Sequence, residues 1–142
     1  DKPVSELFKK LSDRKHENYR RGFEPIPDVV IFKPEINSDW RRRNNKNTLN
    51  NMLIAIEVKA SERAKSRLRS AEISLDIQKL AALREELLHR GSSMMPVMLI
   101  IDSAKEEPER MNQNALKQAC ALAKDLDVEF MYISPTHEFC SI

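Results

Sequence analysis

A chain of 142 residues amounts to one domain and can bury one modest core. With 41% hydrophobic and 32% charged residues it has the balance of a globular domain, and its longest apolar run, Val97 to Ile101, is far short of the ~20 residues of a membrane helix. Two glycines exclude a glycine-rich phosphate loop, and two cysteines, Cys120 and Cys140, exclude a disulfide framework or a cysteine-built zinc site. The net charge of +2 hides an asymmetry: residues 1–70 carry +7 and residues 71–142 carry −5.

Val4, Leu7, Phe8 and Leu11 have helical spacing and predict a helix over 4–20, broken by Gly22, Pro25 and Pro27. Val29-Val30-Ile31-Phe32 is a β-branched run that predicts a buried strand, ended by Pro34. Residues 35–50 are polar and basic, with Trp40 as the one strong apolar group, and read as a long loop or ragged hairpin arm. Leu53 to Val58 is apolar at both parities, which predicts a strand buried on both faces. A long helix is expected over 66–90 from the stripe Ile73, Ile77, Leu80, Leu83 and Leu87, with Gly91 at its C′ position. Val97 to Ile101 predicts a third strand, residues 109–125 a helix striped by Ala115, Ala119, Leu122 and Leu126, and Val128 to Ile133 a last strand. This alternation points to an α/β fold with helices covering a sheet.

The basic half has two concentrations. One is Arg41-Arg42-Arg43 with Lys46; the other runs through Lys59, Arg63, Lys65, Arg67 and Arg69. Either alone reads as a solvated surface. Together, flanking one strand, they suit a polyanion such as nucleic acid, which is bound through phosphate neutralisation and counterion release.

Charge also enters the strands. Asp28 opens the first, after Pro27, and Glu57 and Lys59 end the second. Residues at i and i+2 of a strand share a face, so Glu57 and Lys59 point the same way and Ile56 and Val58 the other. Charges in an apolar strand cost desolvation unless compensated, and a divalent cation compensates two carboxylates held close together. Magnesium takes oxygen ligands and keeps several waters, which suits phosphodiester hydrolysis, and a neighbouring lysine can hold water or neutralise developing charge.

Pro27-Asp28 followed by Glu57-Val58-Lys59 resembles the PD-(D/E)xK nuclease superfamily. The resemblance implies a restriction endonuclease-like core, a central mixed β-sheet flanked by helices, formed by a single domain over 1–142. It implies catalysis by Asp28, Glu57 and Lys59, with Mg²⁺ (or Mn²⁺) held by Asp28, Glu57, the Val58 carbonyl and Glu17 of the first helix. Gln78, in Asp76-Ile77-Gln78-Lys79-Leu80, matches the accessory polar residue of the following helix. The long gap between Asp28 and Glu57, and a first meander strand with no clear signal beyond Tyr19 to Phe23, depart from the pattern.

The expected function is metal-dependent hydrolysis of phosphodiester bonds, in DNA rather than RNA, of the restriction, resolvase or toxin type. Arg41, Arg42, Arg43, Lys46, Arg63, Lys65 and Arg67 would hold the phosphates, and a homodimer or partner domain would supply specificity. The alternative is a catalytically inactive module on the same fold, binding nucleic acid or protein, with Glu57 and Lys59 paired to each other. His16, His89 and His137 read as structural or exposed, Trp40 as a base-stacking group or a loop anchor, and Ser61 as a helix N-cap. The start at Asp1-Lys2-Pro3, without Met or signal peptide, leads us to expect a fragment of a longer protein, cytoplasmic unless it is an exported toxin domain.

Overall fold

The computed structural model describes residues 27–36, 46–61 and 67–141. It is an α/β structure built on a five-stranded mixed sheet. In chain order the elements are β1 (Val29–Phe32), α1 (Lys46–Asn50), β2 (Met52–Ala60), α2 (Ser70–His89), β3 (Met95–Ile101), a 3₁₀ turn (Glu107–Glu109), α3 (Gln113–Asp125), β4 (Glu129–Ile133) and β5 (Glu138–Cys140).

The strands lie in the order in which the chain makes them. β2, β3 and β4 run parallel, joined through α2 and α3, and the short edge strands β1 and β5 pair antiparallel to β2 and β4. Parallel neighbours need a crossover of helical length, and α2 and α3 supply it.

The register places Glu57, Met98 and Phe130 in one row across the sheet, and Lys59, Ile100 and Tyr132 in the next. Met98, Ile100, Phe130 and Tyr132 join Ile73, Ile77, Leu80, Leu83 and Leu87 of α2, and Ala119 and Ala123 of α3, in one core cluster. The predicted α2 stripe is therefore buried at every position. On the other face Val29, Ile31, Met95, Ile101 and Ile133 are 37–46% exposed.

Several boundaries differ from expectation. The segment read as loop contains the short helix α1, with Thr48 and Leu49 buried. The second strand is longer, Met52 to Ala60, and is not buried throughout: Ala55 is fully covered, whereas Leu53 is exposed and Ile54, Ile56 and Val58 are half-buried.

The long helix starts at Ser70, so Ser61 is not its cap. Ser61 is buried and instead extends the β2–β3 ladder: its Oγ accepts the Ser103 N–H at 2.8 Å and its carbonyl accepts the Ser103 hydroxyl at 3.0 Å. Gly91 follows α2 at φ +80°, the left-handed C′ residue that spacing predicted. α3 begins at Gln113, where Asn112 Oδ1 accepts the Ala115 N–H at 2.7 Å, and residues 107–109 form the separate 3₁₀ turn. β5 had no apolar-run signal, since all three of its residues are exposed.

Buried polar groups secure the connection between β3 and α3. Asp102 is fully buried; its Oδ2 accepts the Met111 N–H at 2.8 Å and the Tyr132 hydroxyl at 2.9 Å. Burial first, then that bond, push the Tyr132 phenol up to about 12. Arg110 donates to the Ala104 and Lys105 carbonyls and to Thr136, which makes it a loop clamp. Among the described residues, no helix is long and apolar enough to cross a membrane.

Candidate active site

The site forms where β1, β2 and α2 meet. Glu57 and Lys59 share the face of β2 that α2 covers, as alternation requires. Their β3 register partners, Met98 and Ile100, are fully buried, so both charges stand at the margin of an apolar floor. The antiparallel register pairs Val29 with Ile56, which brings Asp28 level with the charged end of β2. Asp28 Oδ2 accepts the Val58 N–H at 2.7 Å. That bond extends the β1–β2 ladder with a side chain and fixes the carboxylate beside Glu57. It uses one Asp28 oxygen, and a carboxylate retains acceptor capacity on the other.

The ion pair made by Lys59 is with Asp76 of α2, at 3.0 Å, rather than with Glu57 as the binding-module alternative expected. The Asp76 carboxylate also faces Lys79, one turn on, at 3.6 Å. Asp76 is 4% exposed and the two lysines about a third exposed, so the acid is fixed within the structure while both cations reach solvent.

Burial pushes Glu57 up to about 7 from 4.5, with Asp76 and then Asp28 adding to the rise and Lys79 and Lys59 opposing it. Burial alone would pull Lys59 down; the Asp76 carboxylate, followed by Glu72 and Glu57, outweighs it and holds the ammonium above its ordinary value. Lys59 is thus a cation at neutral pH, and Glu57 is divided between acid and carboxylate.

The linkage has a definite sign. A carboxyl whose folded pKa is raised favours the fold below its unfolded value, near 4.5, and loses that contribution as pH rises through about 7. In EDTA, Glu57→Gln should therefore leave the melting temperature nearly unchanged at pH 5 and raise it by a few degrees at pH 8.5. Scanning calorimetry at the two pH values checks this.

Asp28, Glu57, Val58 and Lys59 are brought together where β1 meets β2. Gln78 is half-buried on α2, two residues from Asp76, which pairs with Lys59. Two positions along a helix are about 200° apart, so the two side chains do not share a face. The sequence held a signal for Asp76: it lies at i+3 from Ile73 and i−1 from Ile77, within the apolar stripe. An acid on a buried helix face requires a cationic partner.

Arg67 donates to the Pro108 carbonyl, which ties the segment before α2 to the 3₁₀ turn. Lys46 opens α1. Glu17, Arg41, Arg42, Arg43, Arg63 and Lys65 lie outside the described residues, as do His16, Trp40, the helix expected over 4–20 and the meander strand sought near Tyr19 to Phe23.

Among the described residues, no group of three His, Cys, Asp or Glu side chains is gathered to hold a metal. The protein donors that remain, Asp28 and Glu57, fit Mg²⁺, which is commonly bound by one or two carboxylates, waters and substrate phosphate. A cation between them would also offset the repulsion that Asp28 adds at Glu57. The chain matches no family model, no curated protein and no solved structure.

Proposed function

We propose that this chain is a metal-dependent nuclease that hydrolyses phosphodiester bonds in DNA, on a restriction endonuclease-like core. The observation that carries the reading is the meeting of Asp28 and Glu57 beside a charged Lys59. Two acids drawn together at an apolar margin, one held near neutral pKa, repel each other without a cation and form a good seat for a divalent one.

Asp28 and Glu57 would hold Mg²⁺, with the Val58 carbonyl and Glu17 as the further ligands the resemblance implies. When bound, such an ion would supply a water of lowered pKa and charge stabilisation for the transferring phosphoryl group. Glu57 must lose its proton to act, so a bound cation would compete with that proton. Lys59, protonated at neutral pH, orients the attacking water or neutralises charge developing on the phosphate. Lys46, Arg67 and the basic residues at 41–43, 63 and 65 contact phosphates flanking the cleaved bond.

The test is cleavage of supercoiled, linear and single-stranded DNA, and of RNA, in Mg²⁺, Mn²⁺ or EDTA. Metal-dependent cleavage of DNA is the expected result. Absence of cleavage on every substrate, together with no Mg²⁺ or Mn²⁺ binding by calorimetry, would replace it with the inactive binding module.

A further inference from the structure

Lysine reaches its site through four rotatable bonds, so a lysine that must hold one atom in place needs a fixed partner. We propose that Asp76 is the positioning residue for Lys59, fixing its ammonium on the strand face that carries Glu57. The role of that ammonium in cleavage rests on the nuclease reading above; the positioning itself rests on the geometry.

Three observations converge on Asp76. Its carboxylate is 3.0 Å from Lys59 Nζ. It is 4% exposed, on a helix locked to the sheet by the fully buried Ile73 and Ile77, so it moves little. It also occupies a position in the apolar stripe, where burying a charge costs desolvation that its cationic partners must offset. An acid kept there at that cost is explained by what it holds. Its second oxygen faces Lys79, so one acid orders two ammoniums, and the trio carries a net positive charge suited to a phosphate.

The experiment uses the full chain with Asp76→Asn, Asp76→Leu and Asp76→Glu. Cleavage of supercoiled plasmid in Mg²⁺ gives kcat and KM, calorimetry gives stability, and NMR relaxation at the Lys59 Cε and Nζ gives the mobility of the side chain. Asp76→Asn is expected to lower kcat by about 10–100-fold with KM within about twofold, the scale of losing a partner that orients a functional side chain. Asp76→Leu, which removes the buried charge and leaves both lysines without their partner, should show the same loss in its folded state, and Asp76→Glu should recover part of it. In both inactive variants the Lys59 side chain should become more mobile.

Unchanged Lys59 mobility in folded Asp76→Asn overturns the proposal whether or not the protein cleaves DNA. So does a kcat equal to that of wild type. If wild type does not cleave but Lys59 loosens in Asp76→Asn, the positioning stands and the nuclease reading fails.

Discussion

Glu57→Ala is expected to abolish metal-dependent DNA cleavage, lowering the rate by at least about 10²–10³-fold, the scale of removing one group that stabilises transition-state charge. The expectation follows from where Glu57 stands. It faces the helix-covered side of the sheet beside Lys59, and the hydrogen bond from Val58 holds Asp28 alongside. Losing Glu57 would leave a divalent cation with Asp28 as its one carboxylate among the described residues. Unfolding would not account for the loss, because the Glu57 charge is disfavoured by burial and by its acidic neighbours. Gel cleavage assays in Mg²⁺, with melting temperature and DNA affinity measured in EDTA, separate these effects. Residual cleavage within tenfold of wild type would mean that the metal is held elsewhere.

Ile77→Ala is expected to cost about 2–5 kcal/mol, the range for truncating a buried isoleucine. Ile77 is fully buried in the cluster that joins α2 to β2, β3 and β4. It also adjoins Asp76, so the variant should weaken the hold on Lys59 as well as the fold. Urea unfolding followed by circular dichroism checks the figure: the midpoint should fall with little change in the slope. An exposed site on the same helix provides the control. Leu88, 48% exposed, should tolerate alanine within about 0.5 kcal/mol.

Elements with strong local signals were legible in the chain. The α2 stripe and Gly91, and the β-branched runs of β1 and β3, need only side-chain periodicity and a left-handed stop. Elements whose stability comes from neighbours were not. β5 has no buried residue and exists because β4 offers it an edge, and α1 is only five residues long. Helix starts shifted for the same reason: Ser61 resembles a cap locally, but its hydroxyl accepts the N–H of Ser103, just past β3.

By itself, the sequence determined the α/β alternation, the sharing of one strand face by Glu57 and Lys59, and the entry of Asp28 at the head of β1. Each follows from a period of two or 3.6, which acts within an element. Only the tertiary structure decided which groups those charges meet. Lys59 finds Asp76 rather than Glu57, Asp28 finds the Val58 N–H, and Glu57 is raised to about 7. Those outcomes depend on register and on the rotation of α2 about its axis, which are set by how the whole core closes around Ile73, Ile77, Met98 and Phe130. No local pattern carries that information, because the partners are separated by 17 to 30 residues along the chain yet meet in space through one ion pair and one hydrogen bond.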